Sequence, residues 1–224
     1  MKTDVDLIAS LVADARPVRP LRPPLWRAVG WSVVACIVVG LLAWWHGLRP
    51  DLAEKLAEPG FVLGMGAAIL TGVAGAVAAL TVSLPDRSRL WALLPVVPGF
   101  VWVSTVTWGC LSHWVAFGDR SPNYALLASC VTILLATSVP LSMLLFWMLR
   151  STVVRVRQTI LATGLAAAGL TAAALNLLHA FDASIMILAW HLGTAALVML
   201  CDGIVGRMLL MRRRDRGVDR YASA

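Results

Sequence analysis

The sequence predicts an all-α polytopic membrane protein, a six-transmembrane-helix bundle with both termini cytoplasmic. Three observations carry this expectation. Hydrophobic residues make up 59% of the 224, whereas a soluble domain is about 45–50% apolar. Six apolar runs longer than about 18 residues follow one another, each able to cross ~30 Å of hydrocarbon as a helix. The 19 Lys and Arg are divided unevenly: only Arg49, Lys55 and Arg120 fall on one set of alternate links. The richer set faces the cytoplasm by the positive-inside rule.

Residues 1–15, MKTDVDLIASLVADA, form the first unit. Thr3 can cap a helix, and Asp4 and Asp6 suit its positive end. Leu7, Ile8, Leu11, Val12 and Ala15 then keep helical spacing. So short a helix is marginal alone in water and needs a surface to fold against. Its acidic polar face, with Asp14, suits a protein groove better than an anionic bilayer, which attracts Lys and Arg. A helix resting on the bilayer or a frayed tail is the plainer reading. Asp4, Leu7, Ile8, Leu11, Val12 and Asp14 are the candidate partner-binding residues.

Residues 16–27 are an Arg/Pro linker. RPVRPLRPP, residues 16–24, holds four prolines, which favour extended geometry and remove backbone donors. The transmembrane bundle is expected over 28–210 and a basic cytoplasmic tail over 211–224.

The first span, about Ala28–Leu48, has Trp26 and Trp31 near one end and Trp44 and Trp45 near the other, as interfacial anchors. The second, about Phe61–Ser83, repeats Gly64, Ala68, Gly72 and Ala76 every four residues, a helix-packing face. The third, about Leu90–Val115, carries Pro95 and Pro98 early. The fourth, about Tyr124–Leu149, holds Cys130 and Pro140. Pro95 and Pro140 are expected to kink their helices. The fifth, about Thr159–Ala180, has a second small face at Gly164, Ala168 and Ala172. The sixth, about Ile185–Leu210, leads into RMLLMRRRDR, the most basic cluster of the chain.

No segment outside the spans exceeds about 30 residues, too little to bury a core of its own. A soluble catalytic domain is excluded. No GxSxG elbow or HExxH helix occurs, and no cofactor motif is present, so the chain reads as a non-enzyme with no cofactor. The net charge of +7 reads as topogenic arginine. No basic face with interleaved aromatics indicates direct nucleic-acid binding.

Chemistry, where it exists, lies in the bundle. His46, His113, His179 and His191 all map to the outer half, as do Cys110 and Cys130. At 1.5 Å rise per residue, Cys110 lies roughly 8 Å, and Cys130 and His191 roughly 9 Å, below the outer ends of their spans. Cys110, Cys130, His179 and His191 are therefore sensing candidates, a thiol–imidazole set suited to a soft metal ion or to oxidation. Interfacial histidine and small buried cysteine are the plainer readings. Cys36 and Cys201 lie elsewhere, and no CxxC spacing marks a zinc ribbon. Asp202, in LCDGIVGR, is an intramembrane acid, with Arg207 near enough to pair with it.

The full length resembles the NrsF family, six-span bacterial inner-membrane negative regulators of extracytoplasmic-function (ECF) sigma factors. The opening KTDVDLIASLVADARPVRPLRPP, the unit from Cys130 to SVP at Ser138–Pro140, and LLHAFDASIMILAWH carry the resemblance. It implies a membrane-bound anti-sigma factor that holds an ECF sigma factor at the cytoplasmic face and releases it on envelope, metal or oxidative stress. It also implies an outer two-cysteine sensor. Cys130 matches the first cysteine, but Ala180 stands at the place of the second. The competing reading is a small six-span transporter, for which the small-residue faces and Asp202 would serve a substrate path. An amphipathic segment on a proline spacer has no use in that reading.

Overall fold

The computed structural model describes residues 22–117, 124–149 and 155–178, with isolated positions 6, 9, 12, 13, 200 and 204. At 110, 112–117 and 124–130 the description is of backbone alone. Every regular element among the described residues is helical: α1 (Pro24–His46), α2 (Leu52–Leu56), α3 (Pro59–Val82), a 3-10 helix (Arg89–Leu93), α4 (Val96–Phe117), α5 (Tyr124–Leu149) and α6 (Val156–Leu178). Five stretches among them are long and apolar enough to cross a membrane: Pro24–His46, Pro59–Val82, Arg89–Gly109, Val131–Leu149 and Val156–Leu178. The expected sixth span lies outside the described residues, apart from Leu200 and Ile204, which are helical and exposed.

Proline sets the helix starts. α1 begins at Pro24, four residues before the sequence expectation, with Pro23 as its N-cap. A proline in the first turn loses no hydrogen bond, because those N–H groups have no helical partner. α3 starts the same way at Pro59. The expected kink at Pro95 is not how that residue is used. Arg89–Leu93 forms a 3-10 helix, capped by the Ser88 hydroxyl accepting from the Leu90 N–H at 3.2 Å. Pro95 then precedes α4, and Pro98 sits in its first turn. Pro140 does lie inside α5. α1 ends at Gly47, whose φ of +80° is one that glycine adopts without strain, and its N–H donates to Ala43 O at 2.9 Å.

α3 and α6 form the centre, crossing backbone to backbone. A Cβ placed on Gly75 would stand 2.8 Å from the Ala166 nitrogen and 3.0 Å from the Ala162 oxygen. One on Gly169 would stand 2.6 Å from both Ala68 O and Gly72 N. Within a bilayer the hydrophobic effect does not drive helices together, so this close fit of small residues supplies the attraction. The expected face of the second span is the observed one: Ala68 and Ala76 are fully buried, Gly72 meets Leu170, and Gly64 meets Thr105 of α4. The face of α6 turned to α3 is different from the expected one. It runs through Ala162, Ala166 and Gly169, roughly a third of a turn around from Gly164, Ala168 and Ala172.

The other helices flank this pair. α4 packs on α3, α5 packs on α6, and α1 packs on α3, α5 and α6. Apart from α1 and α6, which run parallel, these pairings are antiparallel: Trp31 of α1 reaches Leu141 of α5, and Thr137 of α5 reaches Thr171 of α6. α1 buries one stripe, Ala28, Trp31 and Ala35, with Val38 packed behind it. Leu42 and Ala43 pack on a second cluster of Ile133, Leu134, Leu175 and Leu178, while Val33, Ile37 and Leu41 face outward. Several buried threonines satisfy their hydroxyls by donating one turn back, as Thr71 does to Ala67 O at 2.7 Å and Thr163 to Thr159 O at 2.8 Å. The Thr137–Thr171 contact, 3.1 Å between oxygens, is a buried polar link between helices.

Candidate functional site

The antiparallel register sorts charge between the two ends of the bundle. Arg27, Arg87, Arg89, Arg155 and Arg157 lie at the end where α1 and α6 begin. Arg49 and Lys55 lie at the other, where α1 ends and α3 begins. At the basic end Arg155 Nη1 donates to Arg87 O at 2.8 Å, joining the segments before α4 and α6. The segment preceding α1 enters the bundle at this same end.

Two arginines flank α1, and each bonds the last turn of another helix. At the basic end, Arg27 Nη2 donates to Met148 O, next to the final residue of α5. One turn further on, Trp31 is fully buried and its Nε1 donates to Leu141 O at 3.0 Å. At the opposite end the Arg49 N–H donates to Leu177 O at 3.0 Å, and its Nη1 makes a long contact of 3.4 Å with Asn176 O, in the last turn of α6. Those carbonyls have no partner within their own helix and carry its negative dipole end, so a cation suits them.

Arg49 is only 6% exposed, and a buried guanidinium needs matched partners. It forks onto Asp51, Nε to Oδ1 at 2.8 Å and Nη2 to Oδ2 at 2.6 Å, and its Cζ lies 5.5 Å from the centre of the Phe61 ring. These hydrogen bonds from Arg49 hold the Asp51 carboxyl at about 2, below its ordinary value of 3.8, against an opposing desolvation. Lys55 and Glu58 pair at 2.8 Å on the exposed face nearby. In the sequence Arg49 stands out only as one of the few charges on the sparser set of links. Its carbonyl partner Asn176 stands 127 residues away, a separation that no local spacing reveals.

The partner-binding set is seen at one point. Val12 is helical and 69% exposed, and Asp6, Ala9 and Ala13 are helical and exposed with it. Asp4, Leu7, Ile8, Leu11 and Asp14 lie outside the described residues, as do His179, His191, Ala180 and Asp202. Of the sensing candidates, Cys110 sits in α4, seven residues from its end at Phe117, and Cys130 in α5, six residues from its start at Tyr124. They therefore lie roughly 9–11 Å from the ends of their helices, at the end of the bundle opposite the basic one. Among the described residues, however, α4 packs on α3 while α5 packs on α6 and α1, with no extensive contact between α4 and α5. Cys36 is exposed on α1. No group of three metal-ligating side chains occurs among the described residues.

The comparisons with known proteins agree along the chain. The family model described as negative regulator of sigma F, NrsF, matches residues 11–211. The anti-sigma-F factor NrsF of Caulobacter vibrioides (strain NA1000 / CB15N) is 31% identical over 219 residues, covering 94% of this chain and 99% of that protein. No solved structure matches. A helical, membrane-compatible chain matched by this family over nearly its whole length belongs to the NrsF family of negative regulators of sigma F.

Proposed function

We propose that this chain is a membrane-bound anti-sigma factor that holds an ECF-type sigma factor at the cytoplasmic face and releases it on envelope, metal or oxidative stress. The observation that carries the reading is family membership over residues 11–211. The chain crosses the bacterial inner membrane six times, with both ends inside. The charge asymmetry between the two ends of the helices supports that orientation.

The holding element is residues 1–15. The helical, exposed Val12 fits an amphipathic segment that offers Leu7, Ile8, Leu11 and Val12 to a groove and keeps Asp4 and Asp14 on the rim. The Arg/Pro linker, 16–27 in the sequence reading, carries this segment from the membrane surface. Its last residues, from Pro24, form the first turn of α1.

Cys130 is the sensing thiol, with His179 and His191 as imidazoles on the same side for a soft metal ion. Cys110 serves as a separate thiol rather than its disulfide partner. A disulfide needs Cα atoms within about 7 Å, and the absence of extensive packing between α4 and α5 among the described residues disfavours that approach.

The test is a sigma-dependent promoter reporter in cells carrying the chain without residues 1–15. The reading expects constitutive expression with the truncated protein still in the membrane. Repression that persists at the full-chain level moves the binding surface to the loop at Arg150–Arg157.

A further inference from the structure

α1 is the helix that carries the N-terminal segment, and apolar packing holds it far less than it holds the central pair. In its most apolar stretch 17% of residues are buried, against 44% in α3 and 56% in α6. α3 and α6 are locked backbone to backbone, while α1 lays three buried side chains against its neighbours. Specific polar contacts must therefore fix where α1 sits. They lie at three levels: Arg27 to Met148 O, Trp31 to Leu141 O, and Arg49 to Asp51 and the last turn of α6.

We propose that Arg27 and Arg49 are latches at the two ends of α1, so that displacement of the outer end of α6 moves the inner end of α1 and with it the attached N-terminal segment. α1 is a continuous helix of 23 residues, about 34 Å long at 1.5 Å per residue. A rod of that length transmits displacement as a body, and a carbonyl cap is a discrete contact that is either made or broken. That provides the two packings a transmembrane signal needs. Arg49 suits the outer latch because its charge is buried. Loss of the Asn176 carbonyl leaves the guanidinium with one hydrogen-bond partner fewer, which favours relocation over a small strain. Arg49 and Arg27 are positioning residues. The inference rests on the proposed function only for what the N-terminal segment carries.

The experiment needs no partner, so its failure is distinct from failure of the anti-sigma reading. The full chain, with its native cysteines replaced by alanine, is placed in lipid nanodiscs with spin labels in pairs. Trp45→Cys with Ala172→Cys reports the outer ends of α1 and α6. Trp26→Cys with Trp147→Cys reports the inner ends of α1 and α5. In Arg49→Gln the outer distance is expected to lengthen and broaden. The inner distance shifts with it by ~1–2 Å, the usual scale of helix shifts. Arg49→Lys, which keeps the charge but not the fork, gives an intermediate shift at both ends. An unchanged outer distance in Arg49→Gln overturns the latch, and an outer change with an unchanged inner distance overturns the coupling. If Arg49→Gln does not insert, Asp51→Asn breaks the same fork and is read by the same two criteria.

Discussion

Leu7 and Leu11 are the residues on which partner holding rests in this account. A carboxylate placed in the apolar face of a groove-binding helix removes its buried anchor. Leu7→Asp or Leu11→Asp is expected to weaken retention of the sigma factor at least ~10-fold, since a hot-spot loss exceeds ~1.4 kcal/mol. Insertion into the membrane is unchanged, and immunoblots of membrane fractions check this alongside a reporter. Cys130→Ser alters release by cadmium or an oxidant, whereas Cys36→Ser does not, as a dose–response of the same reporter reads. Asp51 has a different signature. Its carboxyl is held at about 2, below the ordinary 3.8. A lowered carboxyl stabilises the fold above its unfolded value, and that contribution is lost only as pH falls toward 2. The difference in melting temperature between the wild type and Asp51→Asn should therefore be flat from pH 5 to 8. A slope in that window assigns the titration to another group.

Helices α3 and α6 show what the sequence can and cannot specify about packing. The four-residue repeat of α3, through Ala68, Gly72 and Ala76, stands out because larger residues such as Leu63, Ile69 and Leu70 occupy its other, exposed side. α6 contains TGLAAAGLTAAAL, small on nearly every side. Spacing alone selects Gly164, Ala168 and Ala172 as readily as Ala162, Ala166 and Gly169, and only the approach of α3 decides between them. Pro95 was similarly ambiguous. Proline breaks a helix interior but is neutral in a first turn, and where the turn falls depends on the 3-10 helix before it. Leu in place of Gly72 or Gly169 has backbone or a packed leucine within 3 Å of its Cβ. Overpacking of this kind costs ~1–3 kcal/mol or more. Both variants are expected to lower the thermal stability of the detergent-solubilised protein. Gly40→Ala, with nothing within 4 Å of the added carbon, leaves it unchanged.

At the scale of the whole molecule, apolar run length and arginine distribution made the membrane class and five of the candidate spans readable, because both follow from the bilayer as solvent. The contacts at the ends of α1 were not readable: Arg27 and Arg49 find their carbonyls 121 and 127 residues away, and only the fold brings them together. Topology is the first global prediction. Reporter fusions after Arg22, Ser88, Arg155 and Arg216 read cytoplasmic, and fusions after Glu58 and Arg120 read external. An external reading at Arg216 breaks the six-span arrangement. The most direct measurement of the central claim is co-sedimentation of a sigma factor of the sigma-F type with membrane vesicles bearing the full-length protein. The account predicts that the sigma factor pellets with wild-type vesicles and stays in solution with vesicles bearing Leu7→Asp/Leu11→Asp at the same protein level. Equal pelleting with both would contradict it.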